Sequence, residues 1–370
     1  MPDYNGVQNS ELLGLVASTQ AQLPPREITA TYNYQRYEVV NSLFSKDKIT
    51  EPMAGGRTAW THEIILDDMG TASFVNPYGK TEVVARDVLS TASGPWAYSQ
   101  FYFVMSREEV LENAGRAKLV DLQISKEASA AESYAKLRED AFFGAWDASA
   151  DPPKSYTLEY WVPQLIAAQA GEGFYGGHTD ATSGAVGGIS PCTSGDNTTS
   201  IAGGKARWRS YQAGGTAYYT AVDDTLVETM DKTWQYIHFE KPNIVNGVVD
   251  HYGRNFRIYC NLDTRQELKE LAAAYEGVGS YDLSYSDGEL TFNGVPIKWI
   301  PALDSDTMDP IYMLNLNTWR VPVLNGMNMF RHEPQSVGSE QHNVFVTFVD
   351  KADQIICIDR RANACINKTA

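Results

Sequence analysis

One helical pattern of uncommon length constrains this chain more than any other feature. Ser106 and Glu109 form a capping box, Ser-x-x-Glu, in which the serine caps an amide three residues on and the glutamate reaches back. Behind it Val110, Ala114, Ala117, Ile124, Ala128, Ala131 and Ala135 recur at helical spacing, and Phe142-Phe143-Gly144 supplies a stop. At 1.5 Å per residue, a helix over 107–143 is roughly 55 Å long. Gly115 costs about 1 kcal/mol against alanine in a helix interior, which leaves a bend or break near it open. No heptad persists, so a coiled coil is disfavoured.

Before this helix the period changes from helical to strand-like. Over 58–66, Trp60, His62, Ile64 and Leu66 alternate with Ala59, Thr61, Glu63 and Ile65, as a strand with one covered face requires. A second strand is expected over 96–105. The turn signals Asp67-Asp68-Met69-Gly70 and Asn76-Pro77-Tyr78-Gly79 lie between them, so 57–104 is expected to form one long two-stranded excursion. Such a hairpin is marginal alone in water and needs a surface to lie on. The first 50 residues, with Pro24-Pro25 and then Tyr32, Tyr34 and Tyr37 among polar residues, predict an extended arm that stays ordered only where something covers it.

After the helix, residues 150–215 are punctuated by glycine and rich in serine and threonine, which predicts loops around a short apolar piece at 161–168. Neither GxGxxG nor GxxxxGK[ST] occurs, so the glycines point to turns and not to a phosphate cradle. The last 150 residues alternate α and β. A helix is expected over 222–239 on Leu226, Met230 and Ile237, a strand over 255–260, and a helix to Tyr275 capped by Thr264 and Glu267. Asn293-Gly294 marks a hairpin turn, 311–316 a strand, and 343–349 and 354–359 two strands joined at Asp350-Lys351-Ala352-Asp353.

Charge narrows the function. Thirty Lys and Arg face 46 Asp and Glu, a formal net charge of -16. Such a field repels polyanions, so tight nucleic-acid binding through phosphate neutralisation is not expected. No apolar run approaches a membrane span, and the first residues carry no secretory pattern, so a cytosolic site of synthesis is expected. Cys192, Cys260, Cys357 and Cys365 lack CxxC spacing and are expected to be buried free thiols. Aromatic residues reach 11%, with 21 tyrosines, a composition suited to contact area.

Few side chains fall into patterns that carry chemistry. His62, His238 and His332 neighbour acids without placing two ligands on one helix face. Asp304, Asp306 and Asp309 cluster oxygens but lack the glycine and terminal glutamate of an EF-hand loop. Asp67-Asp68 falls in a turn, and Asp223-Asp224 in the first turn of a helix, where acids favour the dipole. No GxSxG elbow or cysteine-nucleophile signature is present. No catalytic residue, metal or cofactor is expected.

The order of these parts carries a resemblance. Arm, long two-stranded excursion, long helix, Gly-rich passage, helix, strand, helix, the run Phe292-Asn293-Gly294-Val295-Pro296-Ile297 and closing strands together resemble the major capsid protein of tailed double-stranded DNA bacteriophages, the Hong Kong 97-type capsid fold. Lys241-Pro242-Asn243-Ile244-Val245, Phe256-Arg257-Ile258-Tyr259-Cys260-Asn261, and the end from Val344 through Arg360-Arg361 to Ile366 also resemble segments of that family. Residues 150–215 are longer than the minimal fold needs.

The resemblance implies an α+β fold divided into an N-terminal arm (1–56), an E-loop (57–104), a peripheral domain (105–215, with a spine helix over 106–143 and a Gly-rich insertion over 150–215), an axial domain (216–320) and returning peripheral strands (321–370). It implies a homo-oligomer of pentamers and hexamers that encloses DNA without sequence-specific binding and without a membrane, with portal, scaffolding and decoration proteins as candidate partners. Candidate interface residues are Tyr32, Tyr34, Tyr37, Trp60, Lys80, Glu82, Arg86, Asp87, Trp96 and Tyr98. Some relatives crosslink their shells through a Lys, an Asn and a Glu. Lys80 stands where the first would be, but Phe345 and Ala352 occupy the other two places, so no isopeptide crosslink is expected. No long helical leader precedes the arm, so a scaffold is expected as a separate protein. Two other readings remain at this stage: an encapsulin nanocompartment shell, and a glycan hydrolase using Asp67, Asp68 or the acids of 304–309.

Overall fold

The structure is a computed structural model that describes residues 37–44, 49–50, 59–66, 74, 76, 89–112, 116–147, 149, 153–164, 171–177, 185–189, 207–214, 221–237, 255–275, 283–286, 288–336 and 343–368. Two sheets organise them. In the larger, eight strands run in the spatial order β5 (Gly171–Tyr175), β6 (Ser210–Gly214), β17 (Ala364–Ile366), β11 (Ile311–Asn315), β7 (Phe256–Cys260), β10 (Val295–Trp299), β9 (Glu289–Phe292) and β8 (Leu283–Ser286). Helices α5 (Asp224–Ile237) and α6 (Leu262–Tyr275) pack on it. Leu226, Met230, Thr233 and Ile237 bury one stripe of α5, the spacing that an amphipathic helix presents to a sheet. Asp223 starts that helix, its carboxylate accepting the Thr225 and Leu226 amides at 3.0 and 3.3 Å. Ile258, Leu268, Phe292, Ile297, Met313 and Ile366 complete a largely aliphatic core.

One local expectation in this half is met and one is corrected. Asn293 and Gly294 take φ of 48° and 75°, the paired left-handed backbone of a two-residue turn that joins β9 to β10. Helix α6 starts at Leu262, earlier than the expected Thr264–Glu267 box. Asn261 caps it by accepting the Thr264 amide at 2.9 Å, and Asp304 accepts the Leu262 amide at 2.9 Å. An asparagine with a distant aspartate does the capping, and the distant partner has no local signature.

The second sheet is centred on β15 (Val344–Asp353), which pairs along all ten residues with β4 (Ala97–Ser106), from Ala97 opposite Asp353 to Ser106 opposite Val344. The short β13 (Phe330–Arg331) and β14 (Gln335–Ser336) line the other edge of β15. Two expectations fail here. Asp350-Lys351-Ala352-Asp353 continues one strand instead of turning, and β16 (Ile356–Cys357) leaves to pair with β12 (Trp319–Pro322). The polar tetrapeptide is compatible with a strand because Lys351 and Asp353 are buried and paired at 2.9 Å, and Asp353 also holds Arg138 at 3.1 Å. The partner of β2 (Ala59–Ile65) is β3 (Leu89–Pro95), not 96–105. Pro95, which has no amide hydrogen, ends β3, and buried Trp96 carries the chain into the other sheet.

The long helix is described as α2 (Arg107–Glu112) and α3 (Arg116–Phe143), with Gly115 between them, outside the described residues. The capping box is present: the Ser106 amide donates to the Glu109 carboxylate at 3.0 Å, and the Glu109 amide to the Ser106 hydroxyl at 3.1 Å. Helix α3 covers one face of β4 with Ala131, Tyr134, Ala135 and Phe142 buried. Gln123, Glu127, Arg138 and Glu139 are buried on it as well, so the covered stripe is more polar than the alanine pattern suggested. Gly144 ends it, its amide donating to the Asp140 carbonyl at 3.0 Å.

The Gly-rich stretch is more than loops. Its described parts supply α4 (Leu158–Trp161), β5, β6 and a bridge between Val186 and Ile189. Arg360, wholly buried near the chain's other end, binds it: the guanidinium donates to the carbonyls of Trp161 (2.8 Å), Gly176 (2.7 Å), Trp208 (3.1 Å) and Gly177 (3.5 Å). Burial lowers its pKa to about 10, which leaves it charged at neutral pH. Asn363 holds the C-terminal segment in a similar way, accepting from the Asn315 amide and Trp319 indole at 3.0 and 3.1 Å while donating to the Asp359 carbonyl at 2.8 Å. Strands β6 and β17 flank the expected 216–320 unit in sequence and belong to its sheet. At the N-terminal side, α1 (Glu38–Ser42) lies against α3, and β1 (Ile49–Thr50) runs parallel to β12.

Candidate assembly surface

A socket of aromatic rings holds the base of the β2–β3 hairpin. Trp60 meets Tyr156 edge-on at 6.2 Å and Trp161 at 6.3 Å, while Tyr156 stacks on Tyr160 at 4.2 Å. The Ser93 amide donates to the Gly187 carbonyl at 2.9 Å. A Cβ on Gly94 would stand 2.3 Å from the Tyr156 hydroxyl, so only glycine permits this approach. Gln354 ties the hairpin's end to the same socket, accepting from the Tyr156 amide at 2.6 Å and donating to the Pro95 carbonyl at 3.3 Å. With its base fixed, the hairpin presents Ile65 opposite Leu89 at its far end, both about half exposed (49% and 52%).

The second exposed apolar area is the face of the β4–β15 sheet turned away from α3. Strand alternation puts Phe103, Met105, Phe345 and Val349 under the helix and turns Tyr98, Tyr102, Val104, Val346 and Phe348 to the other side. Tyr98 is 64% exposed, Tyr102 56% and Phe330 48%. Tyr102 packs on Phe348 at 5.8 Å, and Phe330 on His332 at 4.9 Å. His332 also meets Asp350 at 2.7 Å. Exposed aromatic rings on one sheet face, with a polar His–Asp pair among them, are the composition of a contact surface.

Of the ten candidate interface residues, Tyr98 lies on this surface. Tyr37, Trp60 and Trp96, expected as contact anchors, are buried within the chain at 3%, 2% and 3% exposure, their rings filling intramolecular space. Tyr32, Tyr34, Lys80, Glu82, Arg86 and Asp87 lie outside the described residues, as do Asp67 and Asp68. Tyr102 was missed although it stands four residues after Tyr98 in a strand, on the same face. Phe330 carries no sequence signal, since its place follows from pairing with β15.

The groups considered for chemistry are engaged structurally. Asp304 accepts from the Trp299 indole at 2.9 Å as well as capping α6, Asp306 accepts from Gln164 at 2.6 Å, and Asp309 accepts from Asn261 at 2.6 Å. Among the described residues no group of three His, Cys, Asp or Glu is arranged to hold a metal ion. Burial pushes the Cys260 and Cys357 thiols up to about 12 and raises Cys365 as well, which removes the thiolate a nucleophile needs. Burial, followed by the nearby Arg320, lowers His62. Among the described residues no helix is long and apolar enough to cross a membrane.

No family model matches the chain, and no curated protein does. Solved structures do. A chain of the cyanophage A-1(L) capsid asymmetric unit is similar with a TM-score of 0.58 at 14% identity, covering 90% of this chain and 93% of that one. The capsid of the empty GTA particle gives 0.48 at 11% identity over 97% and 99%, and a virus-like particle from Pyrococcus furiosus 0.45 at 10% over 92% and 96%. At such identities the likeness is one of fold.

Proposed function

We infer that this chain is the major capsid protein of a tailed double-stranded DNA bacteriophage, with the Hong Kong 97-type fold, and that it acts by self-assembly into an icosahedral shell. The observation that carries this reading is the likeness to the cyanophage capsid chain along nearly the whole length of both chains. In this reading the β2–β3 hairpin belongs to the E-loop, α3 is the spine helix with β4 and β15 beneath it in the peripheral domain, and the α5–α6 sheet is the axial domain. Residues 1–56 are the N-terminal arm, of which 37–44 and 49–50 lie against the chain's own α3 and β12. Pentamers and hexamers then meet through exposed apolar surface, the aromatic face carrying Tyr98 and Tyr102 among it. Lys80, Glu82, Arg86 and Asp87 would set register at subunit rims.

The role is structural and involves no catalysis. A formal charge of -16 per subunit suits a container wall, because a lining of like charge keeps packaged DNA from adhering to it. Assembly takes place in the host bacterial cytoplasm and the product is the virion, with portal, scaffolding and decoration proteins as partners. Negative-stain imaging of the purified chain in near-physiological salt tests the reading. Particles are expected, and a persistent monomer would sink it. The double substitution Tyr98→Asp, Tyr102→Asp is expected to abolish particles while leaving the thermal midpoint of the free chain nearly unchanged, since exposed positions shift stability by about 0.5 kcal/mol or less.

A further inference from the structure

The contact between residues 37–44 and helix α3 is built around a buried acid. Glu139 is 4% exposed. Its Oε2 accepts the Val39 amide at 2.9 Å, the Glu38 amide also faces the carboxyl, and Oε1 is buried without a hydrogen-bond partner. Two further acids approach, Glu38 from α1 and Asp140 from α3 itself.

The cations and hydroxyls around this contact are committed to other groups. Lys298 of β10 holds Glu38 at 2.9 and 3.0 Å, and the Tyr259 hydroxyl of β7 donates to Glu38 at 3.2 Å; Arg257 lies near that tyrosine. Arg138, next to Glu139 in sequence, is bound to Asp353, which also takes Lys351. Phe44 closes the far end of the segment, lying 5.1 Å from the Arg138 guanidinium and 4.0 Å from the Lys351 ammonium. One end of the segment is thus held by a carboxyl that faces like charge, the other by an aromatic ring on fixed cations.

We propose that the docking of residues 37–44 on α3 is a proton-operated latch, closed with a proton on Glu139 and loosened at its Glu38–Val39 end when Glu139 gives that proton up. A neutral carboxyl is far cheaper to bury than a charged one, and it removes the repulsion from Glu38 and Asp140. Burial is the main cause that pushes Glu139 up to about 7, Glu38 and Asp140 adding to it against the two amides. Because the docked state holds this proton more tightly than the undocked one, docking is strongest below the ordinary 4.5 and weakens as pH rises through about 7. The Phe44 end does not depend on this proton. The latch stands on the chain's own contacts and does not require the capsid reading.

Hydrogen exchange of the full chain, with peptides covering 37–44 and 131–139 and rates corrected for intrinsic pH dependence, tests it. Opening of 37–44 is expected to rise on the order of fiftyfold between pH 5 and pH 8, with 131–139 flat. Glu139→Gln is expected to flatten the 37–44 profile. The proposal is overturned if the unsubstituted chain shows no rise, if 131–139 opens in parallel, or if Glu139→Gln keeps the original profile. Should that variant not fold, Glu38→Gln serves instead: the midpoint is expected at lower pH, and an unmoved midpoint overturns the latch.

Discussion

The two largest sheets among the described residues are held in different ways. In one half of the larger one, β7 to β10 lie close in sequence, and α5 and α6 seal the sheet with Leu226, Met230 and Leu268 over Ile297. Side-chain type and period nearly suffice to specify that arrangement. The β4–β15 sheet joins segments from opposite ends of the chain, and named polar contacts fix its surroundings: Arg138 and Lys351 on Asp353, and Gln354 on Tyr156 and Pro95; Arg360 on four carbonyls does the same for the Gly-rich stretch that supplies β5 and β6. Non-local layers gain specificity from groups that tolerate one geometry, because a buried polar atom that loses its partner is costly.

That difference can be broken by substitution. Arg360→Met is expected to have the largest effect, about 3–5 kcal/mol by urea unfolding, because it strips the donor from four carbonyls that have no access to water. Leu226→Ala, a cavity in the aliphatic core, is expected to cost about 3 kcal/mol. If it costs more than Arg360→Met, polar contacts are not what holds the non-local segments together. Gly94→Ala sharpens the contrast: the collision with Tyr156 is expected to cost about 1–3 kcal/mol. Its effect should fall on the hairpin and its aromatic socket, visible as faster amide exchange in 59–65 and 89–95 with α5 unchanged.

The same division decides what the sequence made legible. The α5 stripe, the Asp223 cap, the Asn293-Gly294 turn and the Ser106–Glu109 box were readable because each depends on residues within one or two turns of chain. The β2–β3 pairing was misassigned because Trp96 looked like the start of a hairpin arm, when it is the buried corner between two sheets. Asp350-Lys351-Ala352-Asp353 looked like a turn because nothing nearby reveals that Arg138 waits for Asp353 more than 200 residues away. Trp60 was expected at a subunit contact and is consumed by Tyr156 and Trp161. Of the candidate surface, Tyr98 is among the expected contact residues, Tyr102 is not although strand period puts it on the same face, and Phe330 is placed only by the strand it sits beside.

The pairing of β4 with β15 also sets a timetable for synthesis. Residues 97–106 leave the ribosome long before 344–353 exist, and at about 5–20 residues per second the interval is on the order of 10–50 s. During it β4 lacks its partner along the whole edge, and the tyrosine-bearing strand stands open beside other nascent copies on the same message. A chain with this layout depends on early shielding of that strand, and a slow translational pause between the two segments would lengthen the window in which wrong partners can claim it.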